Sequence, residues 1–162
     1  MVDVANELIG LIDRINNAIR SEKVMRIAVS SVLAIHKPRI FEKGTDSSNT
    51  KIGVYGTNPI SISKKNQAKQ TGKTYFKGGY AEYKKDVGRN PGFVNLRNTD
   101  QMMIDYGIVL SGGQFGLGFQ NELNYNKSIW MQDKYDKQIF DHNDQELQLL
   151  GDVLTYEINR AI

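Results

Sequence analysis

Ile108-Val109-Leu110-Ser111-Gly112-Gly113-Gln114-Phe115-Gly116-Leu117-Gly118-Phe119 is the stretch on which the fold turns. An apolar run meets paired glycines, and a second run follows in which apolar residues alternate with glycine. Paired glycines supply the positive φ angles of a tight two-residue turn, so the stretch predicts a β-hairpin. A phosphate-binding loop would need Gly-Lys-Ser/Thr leading into a helix, and a dinucleotide fingerprint needs a helix after its glycines. Here a strand follows instead. One face of that strand is apolar and the other nearly bare, which suits the close approach of another backbone. Phe115, Gly116, Leu117, Gly118 and Phe119 are therefore candidate subunit-interface residues.

Working outward, residues 3 to 37 carry apolar side chains at Val4, Leu8, Leu11, Ile12, Ile15 and Ile19, then again at Met25, Val29, Val32 and Leu33. That spacing predicts helix, either continuous or as two helices meeting near Ser21, a residue suited to capping. Pro38 is expected to end it. Arg39-Ile40-Phe41 and Lys51 to Tyr55 are read as extended, with the turn cluster Gly44 to Asn49 between them. The chain through Gly72 is polar and aperiodic. Tyr80 to Val87 suits a short helix ended by Gly88. Phe93 to Leu96 reads as extended. Asn98 or Thr99 is placed to cap a helix over Asp100 to Asp105. Residues 121 to 134 are helical by pattern, and Gln138-Ile139-Phe140 reads as a short strand. Asp141 is expected to cap a last helix with Leu147, Leu150, Leu154 and Ile158 along one stripe.

This order predicts an α+β fold in one domain spanning residues 1–162. Its parts are a long N-terminal helix, a small antiparallel sheet with intervening short helices, and a C-terminal amphipathic helix. Phe41, Val54 or Phe93 is expected to extend the sheet, because a single hairpin is not stable alone. A long lysine-rich loop or insertion lies at about 43–79.

Hydrophobic residues make up 40% of the 162 residues and charged residues 24%, so a packed core is expected rather than disorder. There is no cysteine, which excludes disulfides, thiolate metal sites and a cysteine nucleophile. Acids near Met1 stand where a signal peptide carries basic residues, and no apolar run reaches the roughly 18 residues of a membrane span. The expectation is a soluble protein made in a cytoplasm, with no membrane partner.

Chemistry-bearing constellations are scarce. His36 and His142 belong to no metal-ligand spacing, and each is expected to sit at a helix end. Asp46-Ser47-Ser48-Asn49-Thr50 lacks the central glycine and the bidentate glutamate of a calcium loop, and reads as an Asx turn. Asp133 and Asp136 read as solvated carboxylates. No nucleophile, base and orienting group can be grouped, so no catalytic residue, metal site or cofactor is assigned and the chain is not expected to be an enzyme.

Charge is distributed unevenly. Lys43, Lys51, Lys64, Lys65, Lys69, Lys73 and Lys77 face a single acid, Asp46, across residues 43–77, whereas the following part is acidic. With Tyr75 and Phe76 interleaved, these lysines form a candidate DNA- or partner-facing segment. It would work through phosphate neutralisation and stacking, or through pairing with an acidic neighbour. A solvated loop is the plain alternative.

Arg39 through Tyr55, with its Asp/Ser turn and Ile52-Gly53-Val54-Tyr55 piece, resembles a stretch of bacteriophage virion-morphogenesis and tail-completion proteins. Val94-Asn95-Leu96-Arg97-Asn98-Thr99-Asp100-Gln101-Met102-Met103 is similar to that family's leucine, Thr-Gly and short-helix motif, with Asp100 standing where the family has glycine. Phe119 to Ile162 is similar to its ending. The resemblance covers roughly residues 1–60 and 88–162; residues 56–79 have no counterpart. It implies a structural ring subunit in a virion, of the tail-terminator, neck or head–tail connector kind. Its partners would be identical subunits, neighbouring portal, connector or tail proteins, and possible channel DNA. The competing expectation is a stand-alone nucleic-acid-binding module built on residues 43–77.

Overall fold

The computed structural model describes residues 4–161. The fold is mixed α+β: helix accounts for 53% of it, and the strands form two antiparallel two-stranded ribbons. The elements in chain order are α1 (Val4–Arg20), α2 (Glu22–Phe41), β1 (Ile60–Ser61), β2 (Tyr75–Phe76), α3 (Gly79–Asp86), α4 (Gln101–Asp105), β3 (Tyr106–Ser111), β4 (Gln114–Phe119), α5 (Glu122–Tyr135) and α6 (Asp144–Ala161). They gather into two compact units. The first holds residues up to Ile35, Ile108–Leu117 and Asp144 onward. The second holds His36–Gly107 and Gly118–Asn143. Helix α2 and the β3–β4 ribbon contribute residues to both.

In the first unit, α1 and α2 meet at Ser21, whose N–H bonds the Ala18 carbonyl at 3.1 Å while its own carbonyl accepts from Met25 at 3.0 Å. Helix α1 packs on α6. Ala18, Val24, Ala28, Val29 and Val32 are buried. Gly112 (φ +58°) and Gly113 (φ +79°) make the ribbon's turn, both in the left-handed region that this turn type requires. The Arg26 guanidinium lies 5.2 Å from the centre of the Phe115 ring.

The second unit is irregular but densely bonded. Arg39, 4% exposed, is its hub. The guanidinium donates to the carbonyls of Thr45 (3.1 Å), Ile139 (3.3 Å) and Asp141 (2.7 Å), joining three distant segments. Around it Phe41, Tyr106, Phe119 and Phe140 stack edge to face or tilted at 5.0–6.5 Å. A second cluster of Phe76, Tyr83 and Val87 takes in Ile60, Ile62 and Tyr80. Two of the stretches quoted above meet here. Gly53 accepts from the Val94 N–H at 2.9 Å, and the Tyr55 hydroxyl donates to Asn95 Oδ1 at 3.1 Å.

Several expectations are corrected. Pro38 lies inside α2, which continues to Phe41, so Arg39-Ile40-Phe41 is helix and not strand. The anchored Arg39 side chain and the buried Ile40 and Phe41 hold the last turn against the proline's missing donor. Ile139 and Phe140 form no strand: their N–H groups both donate to the Gln132 side-chain oxygen, at 3.0 and 3.2 Å. Phe93–Leu96 is likewise irregular, and neither Phe41, Val54 nor Phe93 joins a sheet. Helix α6 starts at Asp144, three positions after the expected Asp141 cap. Asp100, with φ +62°, is itself the residue preceding α4, and its side chain bonds arginines rather than the helix end. His36 is fully buried, stacked on Tyr106 at 5.6 Å with Nε2 2.8 Å from the Tyr106 hydroxyl, so it is a core residue.

Candidate functional site

Three features have the makings of a site, and each lies within one unit. The first is the apolar stripe of α1. Leu8, Ile12, Ile15 and Ile19 recur every three or four positions and so line one face. Within the first unit the flank of that face is covered, at Ala18 and partly at Leu11 and Ile15, but the rest is not: Leu8 is 56% exposed, Ile12 48% and Ile19 47%. Helix α6 adds exposed Leu147 and Tyr156, and the ribbon adds Leu110. Of the residues expected at an interface, Phe115, Gly116 and Leu117 lie in this unit and Gly118 and Phe119 in the other; all are half-buried, and Phe115 is partly occupied by Arg26.

The second feature is the lysine-rich segment of the other unit, which is a folded arm and not a structureless loop. Ile60 pairs with Phe76 and Ser61 with Tyr75. The buried Gln67 amide then holds the turn together. Its nitrogen donates to the Ile62 and Lys73 carbonyls (3.1 and 2.7 Å), and its oxygen accepts from the Thr71 N–H at 3.1 Å. The Tyr83 hydroxyl accepts from the Ala68 N–H at 2.7 Å and donates to Asn98 Oδ1 at 2.9 Å, tying the arm to α3. Sequence periodicity gives no sign of this, because side-chain amides and a hydroxyl do the work of a ladder.

All seven lysines are exposed, but they are not equivalent. Lys73 bonds Asp86 (2.6 Å) and Glu82 (3.1 Å), in that order the main causes of its raised pKa. Lys51 lies 3.8 Å over the Phe93 ring and donates to the Lys43 carbonyl at 2.6 Å. Among the described residues, Lys43, Lys64, Lys65, Lys69 and Lys77 form no ion pair. Tyr75 is 55% exposed and open to a partner, whereas Phe76 is fully buried in the core beside Tyr83, so its ring cannot stack on a ligand. Asp46 forms the expected Asx turn, accepting from the Ser48 and Thr50 N–H groups at 3.0 and 2.9 Å. Burial opposes its charge, but the Thr50 hydroxyl and Lys137 hold the carboxylate below its ordinary pKa.

The third feature is a cavity of about 250 Å³ in the second unit. Its walls include Tyr55, Tyr80 and Tyr135, with Trp130 and Lys134 from α5. Lys84 lines it as well, with a side chain only 1% exposed. Its ammonium donates to the Arg97 carbonyl and lies 5.1 Å from the centre of the Tyr55 ring and 5.4 Å from that of Tyr80. Burial, reinforced by Arg89 and Arg97 and opposed by the Asp100 carboxylate, pushes its pKa down to about 8. Burial likewise raises the Tyr80 phenol above its usual range. Lys134 covers the Trp130 and Tyr135 rings at 4.8 and 5.4 Å. Sequence reading does not find this cavity, because four separated segments converge on it.

No helix among the described residues is long and apolar enough to cross a membrane. Compared with known proteins, the chain matches no family model, no curated protein and no solved structure.

Proposed function

We propose that this chain is a structural subunit that assembles with copies of itself, as a ring component of a bacteriophage neck or tail. The observation that carries assembly is the open part of the α1 stripe. A strongly amphipathic helix ordinarily buries that face, and about 25 cal/mol is gained per Å² of apolar surface removed from water. The phage setting rests on the sequence resemblance. Asp100 departs from the glycine that family usually has there, although its φ of +62° is one that glycine adopts more readily than other residues. Helix faces of the first unit meet the neighbouring copy, and the lysine-bearing arm of the second unit faces channel DNA or an acidic neighbour.

Sedimentation across concentration and electron microscopy of the purified protein and of particles test this. Closed assemblies are expected, and Leu8→Lys with Ile12→Lys is expected to return the protein to monomer while helix content by circular dichroism is kept. A monomer at every concentration and salt, absent from particles, sinks the reading.

The exposure of Lys64, Lys65, Lys69, Lys77 and Tyr75 favours a second reading, a stand-alone nucleic-acid-binding module. It requires affinity for bare DNA whose logarithm falls with the logarithm of salt concentration. Alanine at Lys64, Lys65, Lys69 and Lys77 would remove that affinity. Lys73, already paired, would matter less. Binding that is absent at low salt, or indifferent to these changes, rejects it.

A further inference from the structure

The cavity beneath Trp130 combines two properties that one ligand type satisfies together. Its polar end is an ammonium, that of Lys84, in a side chain 1% exposed. Among the described residues Lys84 forms no ion pair; a single backbone carbonyl is its hydrogen-bond partner, although an ammonium has three donors. The Asp100 carboxylate acts on it only through space, so two donors stay open, and an anion seated beside it would supply the acceptors. The remaining walls are rings. Tyr55 and Tyr80 stand 5.3 Å apart, centre to centre, and Tyr135 and the half-exposed Trp130 complete the mouth. These two rings pack on each other, so a further flat apolar group would lie against the pair and not between them. Lys134, over Trp130, puts a second cation at the rim.

We propose that this cavity binds a small monocyclic aromatic anion, its carboxylate or phosphate on Lys84 and its ring against Tyr55, Tyr80 and Trp130. The volume sets the size class. At about 250 Å³ it lies just under the range of ordinary cofactor pockets, enough for one ring and an acidic group but not for a dinucleotide. Gly53 belongs to the design: a Cβ there would meet the Tyr135 ring at 3.0 Å, so glycine lets that wall lie flat against the backbone. This site is independent of subunit assembly.

Trp130 is the only tryptophan, so its fluorescence reports on the cavity directly. The full chain is titrated with phenyl phosphate and benzoate, and with benzylamine, inorganic phosphate and an oligothymidylate in parallel. Saturable quenching or a spectral shift is expected for the two aromatic anions and not for the amine, with inorganic phosphate weaker by roughly tenfold or more. Lys84→Met is expected to weaken phenyl phosphate by roughly tenfold or more while circular dichroism is unchanged. Three results overturn the proposal: no saturation by either aromatic anion, equal affinity in Lys84→Met, or benzylamine binding as well as benzoate. Tighter Lys84-dependent binding of the oligonucleotide than of phenyl phosphate also overturns it, in favour of a strand-binding site.

Discussion

The two units of this protein reach order by opposite means. The first is almost entirely regular: α1, most of α2, α6 and most of a hairpin. Yet it leaves Leu8, Ile9, Ile12 and Ile19 about half exposed. Besides α5 the second has short helices, two-residue strands and long irregular stretches, but it buries Arg39, Asp46 and Asn95, each held by hydrogen bonds, and leaves Lys84 with one. Regular secondary structure is thus no measure of completeness. A helix satisfies its own backbone and can afford an open apolar face; an irregular chain must satisfy each group through side chains, and is finished only when all are placed.

The sharpest way to break this comparison is Arg39→Ala. It strips a buried cation from three backbone carbonyls and is expected to cost about 4 kcal/mol in urea unfolding. Hydrogen exchange should lose protection in the second unit first. Indifference to this change would mean that aromatic packing alone orders that unit.

Lys84→Met sharpens the contrast from the other side. Below pH 8 the wild-type ammonium is charged in both folded and unfolded chains and bears its full burial cost. Between pH 8 and the ordinary lysine value of 10.5 the unfolded chain still holds a proton that the folded chain has released, so wild-type stability rises with pH. The variant should therefore be more stable at pH 7, by up to about 3 kcal/mol, with an advantage that vanishes by roughly pH 10.5. Denaturant midpoints at a series of pH values measure it; a gap independent of pH would refute the burial account.

Gly79→Ala comes next. Gly79 has φ +69°, and a Cβ would lie 2.5 Å from the carbonyl oxygens of Gly56 and Asn58 at the start of α3. A loss of about 2 kcal/mol is expected, with a changed Trp130 spectrum as α3 shifts. The smallest effect belongs to the first unit. Ile12→Ser on the open stripe should alter monomer stability by less than about 1 kcal/mol. A larger loss would show the stripe to be covered within the chain.

How much was legible follows the same division. The break at Ser21, one of the two readings of the N-terminal helix, the diglycine turn and the stop at Gly88 are all local. Local chemistry is written in adjacent residues. What was missed depends on distant partners. Pro38 fails to stop α2 because Arg39 is held from positions 139 and 141. His36 is buried because Tyr106 receives it, and Phe76 looks like a stacking residue until Tyr83 is placed beside it. The lysines of the arm could be read as a group, but not that Asp86 and Glu82 claim Lys73 while its neighbours stay open.

The Arg39 hub carries a consequence for the order of events on the ribosome. Two of its carbonyl partners are synthesised 100 and 102 positions after it, and α6, which packs on α1, emerges later still. At translation rates of about 5–20 residues per second, the first two helices wait roughly 5–20 s with their greasy sides bare. Nascent chains halted before position 139 should therefore engage trigger-type chaperones and resist compaction, whereas full-length chains released from the ribosome should let go of them.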